Sequence, residues 1–216
     1  MGFYDELIAD TESAREEFLA VPTLQAGVNG EVPLSAYQAF LSQAFHHVRH
    51  TVPLLMNCGA SMPDRNAWLR PAVARYIEEE IGHEEWILND ITASGGDAEV
   101  IRRDQPHPAT ELMVAYAYDT VQRRNPLGFF GMVLVLEGTS VDFAIRAADA
   151  IQAGLKLPDA AFSYLRSHGA LDQEHMKFFA DLMDRIEDPA DRAEIVHCAR
   201  MFYRLYGDVF RALPIN

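Results

Sequence analysis

The sequence is short of cysteine, of basic residues and of long apolar runs. Cys58 and Cys198 are its two cysteines, far apart and in no C-x-x-C pair. That excludes a disulfide framework and a thiolate metal knuckle, and predicts buried thiols in a reducing cytoplasm. Lys and Arg number 18 against 32 Asp and Glu, for a net charge of −14. Such a field repels phosphate backbones and argues against a nucleic-acid partner. The longest apolar stretch, Leu127 to Leu136, stops at Glu137, well short of the ~20 residues a membrane span needs. The first residues, Met-Gly-Phe-Tyr-Asp-Glu, have neither the basic nor the apolar region of a secretory signal. A cytoplasmic protein with no membrane contact is expected. Alternating strand patterns, low-complexity segments and internal repeats are missing too.

What remains is helical periodicity in a chain with 49% hydrophobic residues, an ordinary globular composition. The pattern predicts helices over about 4–20, 34–56, 64–91, 97–103, 109–123, 126–153, 159–186 and 189–211. Pro53 is expected to kink or end the second, and a loop is expected through Gly27, Asn29, Gly30 and Pro33. The prediction is one all-α domain over residues 1–216, a bundle of seven or eight helices.

Four places put polar residues at core positions. In 159–186 the inward stripe Ala161, Leu165, His168, Asp172, His175, Phe179, Leu182, Ile186 has three titratable members in succession. Burying them uncompensated is costly, so they form either a mutual structural network or a metal face. In 126–153, Glu137 interrupts a segment apolar on all sides, and Arg146 is too distant along the helix to be its i,i+4 partner. In 64–91 the apolar face carries Leu69, Val73, Tyr76, Ile87 and Ile91, with Glu80 at its middle and His83 one turn on. Glu-x-x-His is the spacing that di-metal carboxylate bundles use; Glu79 and Glu84 are rival carboxylates. In 34–56 the stripe Tyr37, Phe40, Ala44, His47, Thr51, Leu54 turns His47 inward as a pocket-lining group, while His46 and His50 share another face.

Three of these helices offer Glu80 and His83, Glu137, and His168, Asp172 and His175, three carboxylates and three imidazoles without thiolate, a set suited to iron or manganese. The pattern Glu80-x-x-His83, then Glu137, then His168-x-x-x-Asp172-x-x-His175 resembles the haem-oxygenase-like diiron oxidases and oxygenases. That group shares the fold of thiaminase II and pyrroloquinoline-quinone synthase and includes the chlamydial death-domain-associating protein. The resemblance covers roughly residues 34–186. It implies a haem-oxygenase-like fold, two iron ions (or manganese) held by those six residues, and O2 as co-substrate for oxidation of a small organic molecule. It also allows an external electron donor and a homodimer. Two departures stand out: where several relatives carry a further metal-binding glutamate this chain has His46 and His47, and a carboxylate that some draw from two turns before the histidine is here Tyr76. Tyr37, Phe40, His47, Tyr76, Phe130, Met132, Tyr164 and Phe179 are candidate pocket residues, or plain core. The alternatives are a metal-free thiaminase II-like or quinone-synthase-like enzyme, for which thiaminase II would require a cysteine nucleophile in its pocket, and a non-enzymatic ligand-binding or interaction bundle.

Overall fold

The computed structural model describes residues 2–215, with the side chains of residue 142 and residues 168–174 left out of the description. Eleven α-helices are found among the described residues, where seven or eight were expected. They are α1 (Phe3–Leu19), α2 (Pro22–Asn29), α3 (Leu34–Val48), α4 (Thr51–Ser61), α5 (Arg70–Glu80), α6 (His83–Ala93), α7 (Ala98–Arg103), α8 (Pro108–Arg123), α9 (Phe129–Leu155), α10 (Ser163–Met183) and α11 (Pro189–Arg211). No strand occurs among the described residues.

The larger number has local causes. Residues 22–29, read as loop, form α2, with Pro22 in its first turn and Gly30 closing it at φ +71°. Proline at the start and left-handed glycine at the end are helix boundary signals. So short a helix holds only because it packs, here on α9. The expected helix 34–56 breaks at Arg49–His50, not at Pro53. The proline ring would clash with the carbonyl four residues back, that of Arg49, so Pro53 sits in the first turn of a new helix. The expected helix 64–91 starts as a 3₁₀ turn over Asp64–Leu69 and divides again at Ile81–Gly82, where Gly82 takes φ +91°.

Central α9 packs against α10, α11 and α2. Close approach to α11 depends on Gly131, where a Cβ would lie 2.5 Å from Ala199 N and 2.8 Å from Ile195 O. Two apolar cores result among the described residues. One joins α1, α4, α5, α8 and α11 to the first half of α9; the other joins α3, α6 and the start of α10 to its second half. Between Val141 and Phe143 the axis of α9 turns by 48°. The aromatic-rich end of α11 closes the bundle: Phe202, Tyr203, Tyr206 and Val209 are buried, and Tyr206 stacks on Phe18 of α1. Both cysteines are buried free thiols. No single helix among the described residues is long and apolar enough to cross a membrane.

Candidate metal centre

Three polar side chains from three separate helical segments meet inside the bundle. Glu80 ends α5, Glu137 lies midway along α9 and His175 lies on α10; one ligand atom from each falls within 4.8 Å of the others. Glu80 and His175 are buried and Glu137 is largely so. At such a separation two carboxylate charges repel by roughly 3 kcal/mol at an effective dielectric of about 20. Imidazoles are among their neighbours. His175 Nδ1 is 3.9 Å from Glu137 Oε1, and His83 Nδ1 is 3.2 Å from Glu80 Oε2. A hard O,O,N donor set with buried like charges matches what an iron or manganese ion compensates. The residues therefore fit the metal implied by the sequence.

The structure separates the rival carboxylates. Glu80 is the one in the cluster. Glu79 stands on the other side of His175, its Oε2 3.1 Å from Nε2; Glu84 is half-exposed and Glu78 exposed. His175 thus has one ring nitrogen toward Glu79 and the other toward Glu137. A second carboxylate behind a histidine is the arrangement that fixes ring orientation at metal sites. His83 is buried beside Glu80, its ring stacked on Trp86 at 4.0 Å. The expectation that Glu80 and His83 share one continuous helix is corrected: the chain breaks between them, and Gly82 turns the imidazole back toward the carboxylate. His168 and Asp172 lie outside the described side chains.

The segment bearing His175 is anchored by a residue that the periodicity did not single out. Asp90 of α6, with no exposed surface, accepts hydrogen bonds from Ser163 N (3.0 Å), Ser163 Oγ (2.5 Å) and Tyr164 N (2.9 Å). It caps the first turn of α10, whose amides would otherwise be orphaned. Burial raises its pKa, although these bonds favour the carboxylate. The signal was there in the sequence: a charge between Ile87 and Ile91, on a buried face.

An apolar cavity of about 170 Å³ opens from the cluster along the seam between the two cores. Of the candidate pocket residues, Tyr37, Phe40, His47, Tyr76, Met132 and Tyr164 line it, with Glu80 and Glu137 at its wall. Phe130 and Phe179 do not. They pack on each other in the first core, with Tyr4 against Phe179. His46 is as buried as His47 but does not line the cavity, and burial, then Arg49, lowers its pKa. Neither cysteine lines the cavity. Cys58 Sγ donates to Pro126 O and burial pushes its pKa up to about 12; burial likewise raises Cys198, beside Tyr116, to about 11.

A family model described as an iron-containing redox enzyme matches residues 38–207. No curated protein matches the chain. Among solved structures, a Shewanella denitrificans domain of unknown function with a haem-oxygenase-like fold superposes with a TM-score of 0.86 at 21% identity, over 95% of this chain and 89% of that one. A TenA homologue from Pseudomonas syringae superposes at 0.78 and 12% identity, over 95% and 90%. The haem-bound haem oxygenase-1 of the cyanobacterium Synechocystis superposes at 0.75 and 12% identity, over 97% and 91%. At these identities the superpositions establish the fold. With the family model spanning most of its length, the chain belongs to the haem-oxygenase-like family of iron-containing redox enzymes.

Proposed function

We propose that this protein is an iron-dependent oxidase or oxygenase, with two iron ions held by Glu80, His83, Glu137, His168, Asp172 and His175 and a small organic substrate in the adjoining cavity. The observation that carries this reading is the convergence of Glu80, Glu137 and His175 within 4.8 Å at the head of an apolar cavity. His168 and Asp172 join the set on helical spacing from His175. When bound, iron supplies the reduction of O2. The rest falls to the chain. Glu80 and Glu137 supply anionic oxygens, His175 supplies a ring nitrogen, and Glu79 stands 3.1 Å from the ring's Nε2 on the other side. The apolar wall excludes bulk water, so charges at the cluster act in a low dielectric. Asp90 clamps the start of α10 and so fixes its register against α6.

A metal-free reading has one observation in its favour, the pairing of His83 with Glu80 and of His175 with Glu79, which lets the groups neutralise one another. Its thiaminase II form, however, requires a cysteine at the pocket, and both cysteines lie elsewhere with raised pKa values. Iron analysis separates the readings. Protein purified after anaerobic iron loading should retain about two irons per chain, as expected for a di-metal carboxylate bundle. Both Glu137→Ala and His175→Ala should abolish retention. Iron-free wild type with an intact fold would overturn the proposal.

A further inference from the structure

The cavity wall also carries polar atoms outside the cluster, Thr139 Oγ1 among them. Thr139 lies two residues beyond Glu137 on α9, is 8% exposed and lines the cavity. No hydrogen bond reaches its Oγ1 among the described residues. Thr139 shares this with Thr120 Oγ1 of α8, which does not line the cavity, whereas a helical threonine's hydroxyl commonly bonds a carbonyl one turn back. Two others here do so: Thr11 Oγ1 donates to Leu7 O at 2.7 Å, and Thr92 Oγ1 to Leu88 O at 3.1 Å. The neighbouring Ser140 Oγ donates to Glu137 O at 2.9 Å. A buried hydroxyl left unbonded is destabilising, which points to something in the cavity that pairs with it.

The rest of the wall limits what that is. It is almost wholly apolar, and its lining contains neither lysine nor arginine. A charged head group of either sign would meet no lysine or arginine in the wall, and with the charge of Glu80 and Glu137 compensated by the proposed metal it would gain no partner there, so burying it is costly. In size the cavity exceeds engineered apolar cavities of about 150 Å³ that stay dry and take up benzene. We propose that the substrate has an apolar body and an uncharged oxygen function, such as an alcohol, ketone or amide, and that this oxygen pairs with Thr139 Oγ1. Thr139 is then a specificity-determining residue that sets which carbon stands before the cluster. This assignment rests on reading Glu80, Glu137 and His175 as the reacting centre.

The test uses full-length protein after anaerobic iron loading, titrated calorimetrically with octan-1-ol, octanoate and octylamine. Octan-1-ol should bind tightest of the three. Thr139→Val, which keeps shape and removes the hydroxyl, should weaken octan-1-ol about tenfold, as expected for one lost hydrogen bond. The same change should leave the melting temperature of the ligand-free protein unchanged or higher; a merely structural hydroxyl would lower it. Ala147→Phe, which fills the cavity, should abolish binding of all three probes. Failure of octan-1-ol to bind, tighter binding of octanoate or octylamine, or equal affinity in Thr139→Val overturns the proposal. Iron retention by the same preparations is measured separately. Iron retained without octan-1-ol binding defeats this inference alone, while octan-1-ol binding without iron retention defeats the metal reading.

Discussion

At the scale of single residues, position within the site depends on which neighbour each donor atom faces. His175 stands between two carboxylates, with Glu79 at Nε2 and Glu137 near Nδ1. If Glu79 orients the ring for metal binding, Glu79→Gln should weaken iron affinity 10–100-fold, the usual cost of losing such a support. Competition with a chelator of known affinity measures it, and Glu78→Gln, at an exposed position, serves as the unaffected control. Glu80, Glu137 and His175 were legible in the sequence because each is a titratable group at an inward position of an apolar stripe. Thr139 was not legible. Its type is ordinary in a helix, and whether a hydroxyl finds a carbonyl depends on rotamer and neighbours. Phe130 and Phe179 show the same limit from the other side: periodicity identifies an inward ring but not whether it meets a void or another ring.

At the scale of helices, periodicity located most of the elements but missed their interruptions. The break at Ile81–Gly82 and the short α2 follow from glycine and proline placed where an apolar pattern runs on unchanged. Contacts between helices were less legible still, since they depend on which small residue faces which backbone. Gly131 is the clearest case. A methyl there would collide with the backbone of α11, which carries no flexible end to move aside. Gly131→Ala should therefore destabilise the protein by about 1–3 kcal/mol, the range for overpacking, despite alanine's better helix propensity. Denaturant unfolding measures it, and a gain in stability would mean that α9 and α11 can separate. Gly27→Ala, at a site with open space around the added methyl, should not show this loss.

At the scale of the molecule, remote segments are tied by a few buried polar groups. Asp191, at the start of α11, accepts hydrogen bonds from Asn66 (2.7 Å), Asn125 (2.7 Å) and Arg65 (2.9 Å). Burial opposes its ionisation, yet those three partners outweigh it and hold its carboxyl below the usual range. A depressed carboxyl pKa stabilises the fold above the unfolded value of about 3.9 and ceases to as pH falls through the folded value. Asp191→Asn should thus cost about 2 kcal/mol at pH 7, and the gap to wild type should narrow below about pH 4 in parallel melts. Metal binding acts on the same whole-molecule equilibrium. Iron at 100 times its dissociation constant adds about 2.7 kcal/mol, so loaded protein should melt roughly 5–10 °C above chelator-treated protein. Equal melting temperatures would count against any iron site in the native state.

The left-handed glycine between Glu80 and His83 has a further consequence. Two donors on an unbroken helix are held at a separation fixed by rise and twist. Here that separation is governed by the torsions of Ile81, which is extended, and of Gly82, and a side chain at position 82 would disfavour the φ of +91° that the turn requires. The aim of the imidazole is therefore encoded by a residue with no donor atom of its own, so a chain could keep every ligand and still lose the alignment through a single methyl group.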